Sequence, residues 1–246
     1  MILGPTSWRA STPFPELRPG HTYLWRTRLL ATESDLHRAR AILTPEEIQR
    51  ADRLIHPARG RLQVLSFAFL RSTLAACLRC PPSSLHFATG PHGKPHLIDS
   101  PLHFNLSHTS DLALLAVTLD TPHIGVDIEA HGPRASRDIA SRFFSPREQR
   151  DLEACPDFTS GFFSVWTRKE AFIKALGLGL ACPLHTFDVS VAPAPAALLD
   201  SRIDDQPPSA WHMADLIAFD QTTAALCQRA PLTNLIAHTW TPDLIG

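Results

Sequence analysis

Residues 159–177 read TSGFFSVWTRKEAFIKALG, and this stretch decides how the rest of the chain is interpreted. Its apolar residues recur at helical spacing, which predicts a long helix from about Thr159 to Leu176. Gly177 follows directly, and glycine is the preferred residue just past a helix C-terminus. We therefore expect a long, largely apolar helix in the second half of the chain.

One face of this helix carries charged side chains. Helical spacing places Trp166, Glu170 and Lys174 on the same side at i, i+4 and i+8. The Glu–Lys pair is either an ordinary surface pair or a partly desolvated pair with shifted pKa values, because the rest of the helix is apolar. The helix pattern alone leaves both interpretations open.

A short acidic strand precedes this helix. Residues 124–129 read IGVDIE, which predicts a strand with Asp127 and Glu129 on one side and the apolar residues facing the core. Two neighbouring carboxylates on a buried strand repel each other and lose hydration, and Mg²⁺ would relieve both costs. The alternative is a strand edge with two solvated acids.

A third polar segment lies further upstream, where residues 104–108 read FNLSH. Ser107 and His108 do not form a nucleophile–base pair, because adjacent strand residues point to opposite faces. This excludes a serine hydrolase. His108 is interpreted as a phosphate or sugar ligand, or alternatively as a structural histidine.

The first half of the chain repeats the order of elements in the second. Capping boxes begin at Thr44 and at Ser145, 101 residues later, and each precedes a long helix and several strands. We expect two similar halves, residues 1–122 and 123–246. The remaining predictions are helices over 34–43 and 59–77, a turn over 90–95, a surface loop over 191–209, and strands over 23–27, 102–107, 112–119, 187–191, 211–217, 223–227 and 235–240.

Composition restricts the class of protein. The chain has 246 residues and a net charge of −1, which gives no general attraction for nucleic acid or an anionic membrane. Five scattered cysteines form no disulfide framework, and the N-terminus lacks a basic, apolar signal sequence. We expect a cytoplasmic protein. Only three of the 23 basic residues are lysines: Lys94, Lys169 and Lys174. Either these positions need a compact ammonium or the distribution is chance.

Taken together, the three polar segments closely resemble the surfactin-type 4′-phosphopantetheinyl transferases. The motifs are Asn105-Leu-Ser107-His108, Gly125-Val-Asp127-Ile-Glu129 and Trp166-Thr-Arg-Lys-Glu170-Ala-Phe-Ile-Lys174. Gly93-Lys94-Pro95, Phe143-Phe144-Ser145-Pro146 and the helix start at Thr44 extend the resemblance over residues 44–190. It implies an α+β fold of two pseudo-symmetric halves, each a long helix packed on a small, mainly antiparallel sheet.

The resemblance also implies an activity and its residues. The activity would be Mg²⁺-dependent transfer of phosphopantetheine from coenzyme A to a serine of an apo acyl- or peptidyl-carrier protein, releasing 3′,5′-ADP. The catalytic residues would be Glu170, which would take the serine proton directly or through a metal-bound water, and Lys174, which would stabilise the pyrophosphate or the departing ADP. The metal ligands would be Asp127, Glu129 and Glu170, and the coenzyme A ligands would be Arg50, Lys94, Ser107, His108 and Lys174.

The chain departs from the family pattern near the expected 3′-phosphate site. Glu47 stands where a basic residue is common, and Gln63 and Phe67 replace more polar contacts, so Arg53, Arg59 or Arg61 could compensate. Two alternatives remain: another Mg²⁺-dependent phosphoryl-transfer enzyme such as a phosphatase or nuclease, or a non-catalytic carrier-binding module. A monomer is expected, because one chain already contains both halves.

Overall fold

The computed structural model describes residues 7–12 and 14–245. The residues at the extreme N-terminus, on which the expectation of no signal sequence depends, lie outside this range. The α-helices are α1 (Glu33–Ala41), α2 (Pro45–Asp52), α3 (Pro57–Leu78), α4 (Arg137–Phe143), α5 (Pro146–Glu153) and α6 (Phe158–Leu176). Short 3-10 helices span Pro82–Ser84, Gly179–Ala181, Leu184–Thr186, Pro208–Ala210 and Pro242–Leu244.

The strands form two main sheets and two hairpin-like pairs. They are β1 (Arg9–Ala10), β2 (His21–Arg28), β3 (Phe87–Thr89), β4 (Pro95–Leu97), β5 (His103–Thr109), β6 (Leu112–Thr118), β7 (Ile124–Ala130), β8 (Phe187–Val189), β9 (Leu198–Ser201), β10 (His212–Leu216), β11 (Thr222–Gln228) and β12 (Asn234–Thr239). The larger sheet has the order β1-β12-β2-β6-β5, and the smaller has the order β10-β11-β7. The smaller sheet is antiparallel throughout, whereas β12 runs parallel to both β1 and β2.

Two long helices cover these sheets. Helix α3 buries its apolar residues against β2, β5 and β6 in one core, and α6 packs on β7 and β11 in another. This arrangement confirms the α+β fold with a long helix and a sheet in each half. The last strand, β12, pairs with β2 in the larger sheet.

Local sequence signals explain where the helices begin and end. Thr44 and Ser145 each accept a hydrogen bond from the backbone of the residue three positions later, and the glutamate at that position bonds back. Both predicted capping boxes are confirmed. Helix α6 ends at Leu176, and the next residue, Gly177, has a left-handed φ of +75°, as predicted for a glycine just past a helix C-terminus.

Some elements differ from the sequence prediction. The stretch 191–209 was expected to be a surface loop, but it contains β9, which pairs with β8. The short strands β3 and β4 flank the predicted turn over 90–95. These strands have three or four residues each, too few for a period-2 pattern to stand out.

Helix α3 is long and apolar enough to cross a membrane by length and composition, but 61% of that window is buried inside the protein. That burial is typical of a core helix in a globular fold.

Candidate active site

Strands β5 and β7 lie side by side and are joined through side chains. Alternate residues of β5 face β7, as the period of two in a strand requires. Three hydrogen bonds cross between the strands, joining Asn105 Oδ1 to Val126 N (2.8 Å), Ser107 Oγ to Asp127 Oδ1 (2.8 Å) and Thr109 Oγ1 to Glu129 Oε2 (3.3 Å). The two polar segments found separately in the sequence therefore meet at one place.

Helix α6 presents its polar face to this place. From residue 161 to 175, the only side chains that are not buried are Trp166, Glu170 and Lys174. They lie at i, i+4 and i+8, which confirms the predicted common face. Trp166 packs edge-on against Phe143, with ring centroids 5.8 Å apart.

The ammonium of Lys174 joins α6 to both strands. Its Nζ donates to Asp127 Oδ1 at 2.5 Å and to Ser107 Oγ at 2.8 Å. Asp127 is buried, so the ion pair is shielded from water. Lys174, predicted to form either a surface pair or a partly desolvated pair with Glu170, is thus part of a half-buried polar network with Asp127 and Ser107.

Two glutamates beside this network have raised pKa values. Burial and the neighbouring Asp127 carboxylate raise the pKa of Glu170 to about 7, although Lys174 opposes the shift. Burial and Asp127 also raise the pKa of Glu129, and Arg134 and Thr109 partly oppose this increase. No hydrogen bond or salt bridge to another described residue holds the Glu170 carboxylate. Shifted carboxylates in one half-buried place are a common mark of an active site.

The donor set suits a hard divalent cation. Asp127 Oδ2 is buried and has no hydrogen-bond partner among the described residues, which leaves a carboxylate oxygen available inside the site. Carboxylate oxygens are the ligands that Mg²⁺ prefers, and a cation would offset the mutual repulsion of Asp127, Glu129 and Glu170. In the described part of the chain, no three His, Cys, Asp or Glu side chains are close enough to form a ready-made metal cluster.

His108 points away from this network, as the alternation along β5 requires. It lines a cleft of about 480 Å³ between the loop after β2 and helix α3. The other lining residues are Leu29, Leu54, Arg59, Leu62, Gln63, Ser66 and Ser110. Desolvation and the nearby Lys174 ammonium lower the pKa of His108, although its side chain is exposed, and this favours the neutral imidazole, which can accept a hydrogen bond.

Comparisons with known proteins identify the family. Residues 123–227 match the model of the 4′-phosphopantetheinyl transferase superfamily. The 4′-phosphopantetheinyl transferase HetI of Nostoc sp. is 36% identical over 227 residues, covering 89% of this chain and 92% of that protein. The chain belongs to the 4′-phosphopantetheinyl transferase superfamily. It is a transferase of the surfactin type, since Sfp of Bacillus subtilis is 34% identical over 68% of this chain and 74% of its own length.

A more distant relative agrees. AcpT of Salmonella typhimurium, also a 4′-phosphopantetheinyl transferase, is 32% identical over 63% of this chain and 80% of its own length. The region matched by the family model contains Asp127, Glu129, Glu170 and Lys174. Four other predicted site residues lie outside that region: Arg50, Lys94, Ser107 and His108.

Lys94 and Arg50, both expected near coenzyme A, differ in their surroundings. The Lys94 ammonium is half-buried on three backbone carbonyls, and burial lowers its pKa to about 8. Arg50 is exposed on α2, with its guanidinium carbon 5.9 Å from the ring centroid of Phe67. Among the described residues, no contact joins Arg50 to the Ser107 network.

The unusual Glu47 has a structural partner in this transferase. Its carboxylate caps α2 through the backbone N–H of Thr44 and accepts two hydrogen bonds from the buried Arg71 Nε, at 2.7 and 3.0 Å. Arg71 Nη1 also donates to the carbonyl of Pro82 at 2.7 Å. Glu47 thus pairs with an internal arginine and not with a ligand of the site.

Sequence reasoning missed the roles of Asn105, Thr109 and Arg134. Asn105 and Thr109 join the two strands, and Arg134 Nη1 lies 3.3 Å from Glu129 Oε1. The polar residues at 105, 107 and 109 repeat with the same period as Asp127 and Glu129. That matching period was the available signal for the first two, whereas nothing local in the sequence indicates the partner of Arg134.

Proposed function

We propose that this transferase moves the 4′-phosphopantetheine moiety of coenzyme A to a serine of an apo acyl- or peptidyl-carrier protein. We also propose that the reaction requires Mg²⁺ and releases 3′,5′-ADP. The observation that carries the proposal is the placing of Glu129 and Glu170 beside the half-buried Asp127–Lys174 pair, in a chain related to HetI over nearly its full length.

The reaction is a phosphoryl transfer. The acceptor serine oxygen forms a bond to the β-phosphorus of coenzyme A, and the bond from that phosphorus to the oxygen of 3′,5′-ADP breaks. Negative charge develops on the phosphoryl oxygens and on the leaving ADP, and the serine proton must be removed. The protein therefore needs cations and a base in one place.

The site residues match these requirements. Glu170, whose carboxylate has no hydrogen bond or salt bridge to another described residue, is the base that accepts the serine proton. Lys174 has a third N–H available beyond Asp127 and Ser107, and it donates to the diphosphate or to departing ADP. Asp127, Glu129 and Glu170 would hold Mg²⁺, which when bound neutralises charge on the phosphoryl oxygens.

Coenzyme A would extend from this network into the cleft beside His108. The neutral imidazole accepts and donates hydrogen bonds there, and Arg59 supplies a cation on the same wall. Arg50 could approach from α2. We further propose that the protein acts as a monomer in the cytoplasm, an assignment supported by five free cysteines and by two halves within one chain.

Intact mass spectrometry of an apo carrier protein tests the proposal. The carrier is incubated with this protein, coenzyme A and Mg²⁺, and with EDTA in a parallel reaction. A gain of one phosphopantetheine only in the presence of metal is expected. Asp127→Ala and Glu170→Gln should abolish the gain while circular dichroism shows an unchanged fold. No gain with any of several carrier types, by a folded protein, would contradict the proposal.

A further inference from the structure

The ammonium of Lys94 has all of its hydrogen-bonding capacity satisfied by the protein. Its Nζ lies 3.1 Å from the carbonyl oxygen of Pro122, 2.8 Å from that of Ile124 and 3.2 Å from that of Ala175. A lysine ammonium has three N–H donors, and each has a carbonyl acceptor here. A phosphate would have to displace one of these carbonyls to reach it.

The carbonyls belong to the two elements that carry the site. Ile124 is the first residue of β7, which bears Asp127 and Glu129. Ala175 lies in the last turn of α6, beside Lys174 and five residues after Glu170. The last carbonyls of a helix have no partner within the helix, so an external donor is needed at Ala175. Lys94 supplies it and ties α6 to β7.

The packing at this junction leaves little room for adjustment. A Cβ atom on Gly125 would lie 2.0 Å from the carbonyl oxygen of Ala171 and 2.4 Å from the amide nitrogen of Ala175. The strand therefore approaches the helix as closely as the backbones allow. The lysine stem passes Gly177, where a Cβ would lie 3.4 Å from Lys94 Cδ.

We infer that Lys94 is a positioning residue: its ammonium holds the start of β7 against the end of α6 and thereby sets the distance between Asp127 and the Glu170–Lys174 pair. The role deepens the proposed function and rests on it for the kinetic readout. The site needs three diverging N–H donors on one compact nitrogen, which an ammonium provides and a planar guanidinium does not. This requirement accounts for one of only three lysines in an arginine-rich chain.

The substitution Lys94→Met tests the inference, because it keeps the apolar stem and removes the donors. We expect kcat for transfer to fall about 10- to 100-fold, since small displacements of reacting groups have effects of that size. The Kd for coenzyme A, measured by calorimetry, should change by less than about 3-fold. Amide hydrogen exchange should become faster over residues 124–128 and 174–178. Ethylammonium added to Lys94→Ala should restore part of kcat.

Leu97→Ala is the matched control. Leu97 is buried in the same β3–β4 hairpin, so its truncation loosens the hairpin but leaves the three ammonium bonds in place. It should lower stability with kcat retained. If Lys94→Met does not fold, Lys94→Gln provides the same comparison with two amide donors left.

Two results would overturn the inference. A coenzyme A Kd weakened more than about 10-fold with unchanged kcat and exchange would make Lys94 a substrate ligand. A loss of kcat no greater than that of Leu97→Ala would make its role purely structural. If the wild-type protein transfers nothing, the proposed function fails, but unchanged exchange over 124–128 in Lys94→Met would still separately refute the positioning role.

Discussion

The Glu170 carboxylate has no hydrogen bond or salt bridge to another described residue, and this has a consequence for stability. In the metal-free protein, burial and Asp127 raise its pKa from 4.5 to about 7. Between these values the folded chain keeps a proton that the unfolded chain releases, so the free energy of unfolding decreases as the pH rises through this window. Keeping this carboxylate ionised in the folded protein therefore costs free energy, and a bound cation would remove that cost.

Replacing Glu170 with glutamine should remove this cost. When the pH rises from about 5 to about 8 in EDTA, the free energy of unfolding of Glu170→Gln should fall by about 1–3 kcal/mol less than that of the wild type. This range is reduced for the partial exposure of the side chain. Urea unfolding at the two pH values measures the difference. Glu33→Gln, at a carboxylate that is 81% exposed, is the control and should follow wild type. Parallel pH dependences for Glu170→Gln and wild type would contradict the assignment.

Lys174 contacts the buried Asp127 and Ser107, but its remaining donor faces the proposed diphosphate. Lys174→Ala should therefore reduce kcat for transfer by about 10²-fold, because the charge on the leaving group is no longer neutralised. The Kd for coenzyme A should change far less. Steady-state kinetics and calorimetry separate the two effects. Arg147→Ala, in an exposed ion pair with Asp151, should behave as wild type. Normal turnover in Lys174→Ala would reduce this lysine to a structural partner.

At the residue scale, the sequence is informative where the chemistry is local. Asp127 and Glu129 share a strand face because of their spacing, and Glu170 and Lys174 share a helix face for the same reason. The environment of Lys94 was not predictable, because its three carbonyls come from segments 28 to 81 positions away along the chain. The pairing of Glu47 with Arg71 is also tertiary, since it joins two helices.

At the scale of elements, the contact between β7 and α6 is the most tightly restricted. A methyl group at Gly125 would overlap the backbone of α6, so Gly125→Ala should destabilise the fold by more than about 3 kcal/mol or prevent folding. Thermal and urea unfolding measure this. Gly132→Ala is the control, because its nearest atom would lie 4.0 Å from the new Cβ. A Gly125→Ala protein as stable as wild type would mean that the two elements separate easily.

The elements with strong local signals were predicted well. Capping boxes at Thr44 and Ser145, the left-handed Gly177 and the apolar run of β6 each follow from a few neighbouring residues. Strand β9 was missed because it depends on pairing with β8 across a proline-rich stretch. Short strands of this kind are stabilised by their partners more than by their own sequence.

At the scale of the whole molecule, the end of the chain completes the sheet that begins near its start. Strand β12 lies between β1 and β2, in parallel with both. Trp240, directly after it, packs against Phe69 of α3 and donates its indole N–H to Ser72 Oγ at 2.9 Å. The division of the chain into two halves at residue 122 stays a prediction. The hydrophobic core around α3 also includes residues from β12 and from the segment after it.

This closure predicts that residues 1–122 do not fold alone. Without β12 and Trp240, β2 becomes an edge strand with unpaired backbone groups and α3 loses a large aromatic contact. The fragment expressed by itself should show no cooperative thermal transition and should aggregate. Co-expression with residues 123–246 should restore a soluble complex with a cooperative transition, because the missing strand is supplied in trans. Circular dichroism and co-purification measure both states. A cooperative transition in the isolated fragment would show that the five-stranded sheet does not need the C-terminal strand.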